Sequence, residues 1–501
     1  MNRAVLAIAV CISLAAADRP TAFVVTPEIK SALHVITPGS LRGNLSFLAS
    51  DLLAGRDTPS PGLDIAAEYI AAQFRKSGIE PAGDDGYYQN ATLALQEPDP
   101  TGFQLTLTQP AKTVDIPVEQ AAIRVTRAVS IDHSPIFKLD LSNPEFAQNF
   151  DAAQMNGAVV ITELTRGAMQ RGRSAMAKLR TAKPALLVVV ERNASVATGH
   201  PSPQLVDKDE TGTPSSSRIS ISGDGAISFY DTLKPGLADG VFAEIRVAAP
   251  KEQPVHLRNV VGILRGSDPA LKDTCVLVSA HYDHIGQKSS GEGDRIYNGA
   301  NDDGSGTVSV IELANALSSL KQRPKRSIVF ATFFGEEKGG FGARYYARHP
   351  VLPLAQTVAD INLEQVGRTD STEGDQMRNA TLTGYDYSDL ARTLTAAGKL
   401  TGIKIYNNTR NSDTYFASSD NIVLAEAGVP AHSLCVAFDY SDYHGLGDEW
   451  QKINYDNMAA VDRMVAVSLL MLADSTQIPR WNQANPKAKR YFNAWKQSHS
   501  N

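Results

Sequence analysis

Four short clusters in the second half of this sequence carry side chains able to hold a cation or move a proton. The first is Ser279-Ala280-His281-Tyr282-Asp283. Here an imidazole ends an apolar run, and a carboxylate two residues on could accept its second ring N–H, fixing the tautomer a metal needs. The second, residues 298–306, reads Asn-Gly-Ala-Asn-Asp-Asp-Gly-Ser-Gly. Its small residues let the chain turn tightly, and the two oxygens of Asp302 could reach two cations at once. The third is Phe334-Gly335-Glu336-Glu337. Adjacent carboxylates after an apolar run are costly unless paired or metal-bound. Neighbours there point in different directions, so one can bind metal while the other faces a water as general base. The fourth set, Asn362-Leu363-Glu364 and Asp442-Tyr443-His444, offers one oxygen and one nitrogen ligand in short loops.

Each cluster has a plainer reading. His-x-Asp also describes a turn histidine beside a charge, and the 298–306 stretch a helix-capping loop. A calcium loop is excluded by acidic spacing that does not fit an EF-hand. Glu336-Glu337 could be a solvated acidic turn, although the apolar run before it argues otherwise. His284 and His432 read as turn and strand-end histidines, and Asp303 and Asp448 as loop hydrogen-bonding groups.

The elements that must position these clusters follow from periodicity. Residues 275–280 and 328–334 are nearly continuous apolar runs, as expected for central strands covered on both faces, and 358–363 and 431–437 are further strand candidates. Val310, Leu313, Ala314, Leu317 and Leu320 mark one face of a helix that begins after Gly304-Ser305-Gly306. Upstream, Leu45, Leu48, Leu52 and Leu53, then Ala66, Ile70, Ala71 and Phe74, form two helical stripes punctuated by Pro61-Gly62. The pattern predicts an α/β sheet domain with every cluster where a strand ends, the place where loops of open α/β sheets converge on a crevice. Residues 115–250 differ: short apolar runs alternate with Ser/Pro/Gly-rich stretches and lack ligand spacing. They read as a small α/β or β-rich insert.

The 501 residues suggest two to four folding units, and 43% hydrophobic with 20% charged residues is an ordinary globular composition. A net charge of -6 gives no sign of a nucleic-acid surface. Arg3, the apolar residues 4–14 and Ala15-Ala16-Ala17 predict a signal peptide over residues 1–17, hence an exported, periplasmic or secreted protein. No run approaches the roughly 20 apolar residues of a membrane-spanning helix. Cys275 and Cys435 both lie in strand-like runs, and cysteine counting leaves pairing and free thiols equally open.

The succession His-x-Asp, Gly-x-x-Asp-Asp-x-Ser-Gly, Glu-Glu, Asn-x-Glu, Tyr-His resembles the M28 family of metallopeptidases, which includes aminopeptidases, glutamate carboxypeptidases and glutaminyl cyclases. Leu52-Leu53-Ala54-Gly55-Arg56 through Gly86-Tyr87-Tyr88-Gln89 is similar to that family's N-terminal region. The middle block, with Met155-Asn156-Gly157-Ala158-Val159-Val160, is similar to the protease-associated domain some members carry. The resemblance implies a mixed-sheet α/β/α zinc-exopeptidase domain (residues 18–114 and 251–475), a smaller β-rich insert (115–250) and a tail (476–501). It implies two zinc ions per chain and peptide substrates. Asp302 would bridge the ions, His281 and Glu364 completing one and Glu337 and His444 the other. Glu336 would be the general base, Asp283 the partner of His281, and Tyr443 the stabiliser of the oxyanion. Two departures stand out. Glu364 occupies a position usually held by aspartate, and Asn421 replaces the histidine of a Ser-Asp-His run, a change expected to alter the substrate pocket. The implied activity is an aminopeptidase. A carboxypeptidase with Arg344 or Arg368 holding the terminal carboxylate, a cyclase, and a non-catalytic binding protein are the alternatives.

Overall fold

The structure is a computed structural model that describes residues 23–164, 175, 178, 179, 182–192, 203–209 and 217–500. The expected signal peptide therefore lies outside the described residues, as does most of the Ser/Pro-rich stretch 201–217. The chain divides into two compact units, one formed by residues 1–90 and 258–501 and the other by Ala91–Leu257.

In the larger unit the apolar runs form strands of one mixed sheet. They are β1 (Lys251–Leu264), β2 (Cys275–His281), β3 (Ser327–Phe333), β4 (Thr357–Leu363), β5 (Asn379–Leu382), β6 (Lys404–Tyr406) and β7 (Ala431–Cys435). They run in the order β6-β5-β7-β4-β2-β3-β1. The centre is parallel: β2 pairs with β3 on one side and β4 on the other, and β4 pairs with β7. β1 joins β3 antiparallel, and β5 joins β7 antiparallel. All residues of β2, β3, β4 and β7 are buried, the polar Asp360, Asn362, His432 and Ser433 among them.

Helices cover both faces. On one lie α1 (Pro38–Leu48), α2 (Pro61–Ser77), α3 (Gly306–Ser318) and α6 (Tyr455–Asp474), with Phe74 of α2 6.4 Å from Phe330 of β3. On the other are α4 (Phe341–Arg348), α5 (Asn421–Glu426) and α7 (Lys489–Ser498). They pack on the alternate residues Val261, Ile263, Cys275, Leu277, Val329, Ala331 and Phe333, as strand periodicity requires. Thr37 caps α1 and Ser60 caps α2, each followed by proline in the first turn. The architecture is the expected mixed-sheet α/β/α sandwich. Trp481, Ala488 and Tyr491 of the tail are buried in this same core.

Among the described residues, the smaller unit is built on an eight-stranded mixed sheet. Gln104–Gln109 and Lys112–Asp115 pair within this sheet, so residues from Ala91 onward belong here and not to the peptidase part as expected. Its core joins Leu105, Leu107, Ile136, Val159, Val188, Ile219, Phe229 and Ile245. Cys275 and Cys435 are both free and buried. Their strands, β2 and β7, are separated by β4, and Cys275 opens β2 at the level of Thr357 while Cys435 ends β7 beyond Leu363, which puts the two thiols beyond disulfide reach.

Candidate metal centre

β2 has its sequence successor β3 on one side and β4 on the other, so the chain reverses its direction of travel across the sheet at β2. The crevice at such a point lies beyond the carboxyl ends of the strands. His281 is the last residue of β2, Glu364 follows β4, and Glu336 and Glu337 follow β3. Asp302 comes from the loop ahead of α3, and His444 from the loop after β7. Elements spread over more than 160 residues therefore deliver their side chains to one place.

The distances are short. His281 Nε2 lies 3.4 Å from Asp302 Oδ1 and 3.7 Å from Glu364 Oε2. His444 Nε2 lies 3.1 Å from Asp302 Oδ2 and 3.2 Å from Glu337 Oε1. Asp302 thus faces a histidine with each oxygen and joins two groups of donors. The loops that carry them are pinned from beneath. Asp448 accepts the backbone N–H of Asn301 and of Asp302, both at 3.0 Å, and Asp303 accepts those of Gly306 at 2.9 Å and Gln365 at 3.2 Å. Both are the loop-bonding groups expected. Ser419 donates to Glu364 Oε2 at 2.7 Å. His444 sits at φ 51, in the left-handed region that a histidine rarely adopts, and such conformations cluster at functional sites. Two cations anchor its loop: Arg368 and Lys452 bind Asp442 at 3.0 and 2.9 Å.

Two expectations change in detail. The nearest partner of His281 Nδ1 is the carbonyl of Asp283 at 3.2 Å, while the Asp283 carboxylate is 3.6 Å away and instead accepts the Glu336 N–H at 3.0 Å. Asp283 therefore ties the histidine to the adjacent glutamate. Asn421 donates to the Phe416 carbonyl at 2.9 Å and accepts from Ser433 at 2.9 Å, so it is spent inside the core and does not line the pocket. The pocket, a cavity of about 60 Å³, is walled by Asp302, Glu336, Glu337, Glu364, Tyr443 and His444 on one side and by Tyr415, Cys435 and Phe438 on the other. The ring of Tyr443 stacks on His444 at 4.1 Å. A larger groove of about 750 Å³ along Tyr385, Arg392, Lys399 and Arg480 holds none of these groups.

One member was missed. His284, read as a turn histidine, is fully buried with Nδ1 2.9 Å from Glu337 Oε1, and it forms a second convergent group with Asp302 and Glu337. The available signal was its place three residues after His281, on the same strand exit.

Charge explains why the cluster is not at rest by itself. Burial disfavours a charged His281, but Glu364, Asp283 and Asp302 outweigh it and hold its pKa well above the usual histidine value. Close contact with the Asp302 and Glu337 carboxylates pushes His444 up to about 10. Burial pushes Asp302 up, yet His281 and His444 hold it well below the carboxylate range. Glu336 lies well above that range because of burial, with Asp420, Glu364 and Glu337 adding to it against His281. Glu337 Oε1, Asp302 Oδ2 and both nitrogens of His284 are buried, and their short contacts are charge contacts without the alignment of a hydrogen bond. Buried oxygen and nitrogen donors converging within 4.8 Å in two groups, His281–Asp302–Glu364 and His284–Asp302–Glu337, fit divalent cations, and this donor set suits zinc.

Residues 259–469 match Peptidase family M28. A "Vacuolar membrane protease" of Phaeosphaeria nodorum is 40% identical over 92 residues, which are 18% of this chain and 8% of that protein. A "Probable zinc metalloprotease" of Pyrenophora teres f. teres is 36% identical over 122 residues, 24% of this chain and 25% of that protein. "Aminopeptidase YwaD" of Bacillus subtilis is 26% identical over 238 residues, 46% of this chain and 48% of that protein. The chain thus spans less than half the length of each of these relatives. Among solved structures, the aminopeptidase from Aneurinibacillus sp. strain AM-1 superposes with a TM-score of 0.56 at 17% identity, covering 90% of this chain and 97% of that one, which establishes the shared fold. The expectation of export is corrected by the first relative, since a vacuolar membrane is neither periplasm nor medium. Among the described residues no helix is long and apolar enough to cross a membrane.

Proposed function

With residues 259–469 forming a domain of peptidase family M28, we propose that this chain is a zinc-dependent aminopeptidase holding two zinc ions between His281, Asp302, Glu364, Glu337 and His444. One observation carries the reading: Asp302 turns one oxygen toward His281 at 3.4 Å and the other toward His444 at 3.1 Å, as a carboxylate shared by two cations must. The relatives named as an aminopeptidase and a probable zinc metalloprotease support it.

Bound there, zinc would supply Lewis-acid polarisation of a peptide carbonyl and acidify a water. The protein's own groups do the rest. Glu336, raised in pKa and held by its N–H on Asp283, receives the proton of the attacking water and delivers it to the leaving amine. Tyr443, against His444 at the cavity mouth, donates its O–H to the tetrahedral oxyanion. The Tyr415–Phe438 wall receives the side chain of the first residue. The smaller unit is proposed to be a protease-associated-like domain.

Carboxypeptidase chemistry has less to stand on. Arg368 is already bound to Asp370 at 2.5 Å and to Asp442 at 3.0 Å, so its charge is spent on the His444 loop. Purified protein should be stripped with chelator, restored with zinc and offered matched peptides blocked at either end. Release of the N-terminal residue only from peptides with a free amine is expected. Cleavage only of amine-blocked peptides, or of none, refutes the proposal.

A further inference from the structure

Arg56 lies in the Leu52–Arg56 stretch that neither the metal ligands nor the base explain. It is 1% exposed, among the most deeply buried large side chains of the protein. Its guanidinium donates to four main-chain carbonyls on three separate segments. Nε reaches Tyr282 O at 2.9 Å, Nη1 reaches Leu48 O at 2.5 Å and Asn298 O at 2.7 Å, and Nη2 reaches Gly299 O at 2.9 Å. Tyr282 sits between His281 and Asp283, and Asn298 and Gly299 open the loop that delivers Asp302. The planar fork therefore ties the loop of one candidate ligand to the loop of the bridging one.

The main chain around Arg56 does the same. His284 N–H donates to Arg56 O and Gly286 N–H to Gly55 O, both at 3.1 Å, while Tyr297 N–H donates to Gly286 O at 2.9 Å. The three segments are zipped edge to edge. They are also in close contact: Gly55 has φ 72, and a Cβ there would lie 2.2 Å from Gly286 O and 2.6 Å from Tyr297 O. A Cβ on Gly299 would lie 2.4 Å from His284 Cγ. Electrostatics act in the same sense. Burial lowers the guanidinium pKa to about 10, against the pull of Asp283, Asp448, Asp303 and Asp302, and it remains charged at neutral pH beneath four buried carboxylates.

We propose that Arg56 is a positioning residue of the metal centre, locking the His281 and Asp302 loops at ligand spacing and compensating the carboxylate charge before any cation arrives. The role needs the fork. A lysine ammonium offers three donors from one point and cannot span four carbonyls on three segments. This inference rests on the metal-centre reading, and the experiment separates the two.

Arg56→Lys, Arg56→Met and Gly55→Ala are compared with Arg463→Met. Arg463 donates to Leu33 O and Ile36 O, carbonyls remote from the ligand loops, and so serves as a purely structural arginine. For each folded variant, zinc affinity is measured by competition with a chromophoric chelator, and the melting temperature is recorded without metal. Arg56→Lys and Gly55→Ala are expected to weaken zinc binding at least ten-fold, and Arg56→Met more, with methylguanidinium restoring part of the loss in Arg56→Met. Arg463→Met is expected to lower the melting temperature and leave affinity within two-fold. If Arg56→Met does not fold, Arg56→Lys and Gly55→Ala carry the same comparison. Arg56 variants that bind zinc like the wild type, or that lose affinity no more than Arg463→Met at equal loss of melting temperature, overturn the proposal. Wild-type protein that binds no zinc overturns the metal-centre reading instead.

Discussion

Shortening Glu364 to aspartate tests whether its extra methylene is part of the site. Glu364 Oε2 lies 3.7 Å from His281 Nε2 and accepts a 2.7 Å hydrogen bond from Ser419. Removing one carbon–carbon bond withdraws the carboxylate by about 1.5 Å. Zinc–oxygen bonds are about 2.0–2.2 Å, so that retreat breaks coordination unless the backbone follows. It cannot follow easily: the Glu364 N–H is bonded to Leu434 O at 3.0 Å, and β4 is paired along both edges. Loss of the charged Ser419 bond alone costs about 1.5–3 kcal/mol, or about 10- to 100-fold in affinity. The assay is a chelator-competition titration that resolves two binding steps. Glu364→Asp is expected to weaken one step by about 100-fold or more and leave the other within a few-fold. If both steps remain at wild-type strength, the carboxylate is not a ligand and the geometry argued from Asp302 outward is wrong.

Other outcomes follow from the same groups. Glu336→Gln is expected to lower kcat by about 10²–10⁴-fold while zinc content, measured on the same sample, is unchanged; loss of metal would contradict its role as base. Zinc must displace protons from His281, held well above its usual pKa, and from His444, pushed up to about 10. His444 is protonated at neutral pH in the metal-free protein, so apparent affinity at its site is expected to rise about ten-fold per pH unit from pH 6 to 8, and a flat profile in the same titration would refute this. Asp462, buried in α6 with neither oxygen hydrogen-bonded, is pushed up to about 8 by burial. Its folded state keeps a proton that the unfolded chain gives up above about pH 4, so stability falls as pH rises through that window. Denaturant melts of Asp462→Asn should show a gain over wild type that grows to several kcal/mol by pH 8, since a ten-fold change in proton affinity is about 1.4 kcal/mol. A constant difference across pH would contradict it.

The strands that carry the site were legible because burial on both faces leaves nothing to alternate. β2, β3, β4 and β7 lie within three residues of the stretches that predicted them. His281, Asp302, Glu336, Glu337, Glu364 and His444 were legible because each occupies a strand exit or the loop beyond it. What the residues did not disclose depends on partners distant in the chain. Arg56 meets Asn298 and Gly299 across more than 240 residues, and no local pattern announces that a guanidinium will find four carbonyls. His284 looked like any turn histidine until Glu337 came within 2.9 Å. The edge of the smaller unit was misplaced because Gln104–Gln109 pairs with Gly236–Val247, a pairing between segments more than 100 residues apart that composition does not announce. Trp481 hid in a polar tail, its indole N–H bonded to Gly428 O at 2.8 Å.

The central claim is that Asp302 is shared by two cations held between His281–Glu364 and Glu337–His444. Elemental analysis of the pure protein, equilibrated with zinc and freed of loose metal, tests it most directly. Two zinc per chain in the wild type, falling to at most one in Asp302→Asn, is the predicted result. A wild-type content near zero, or two zinc retained by the variant, would contradict it.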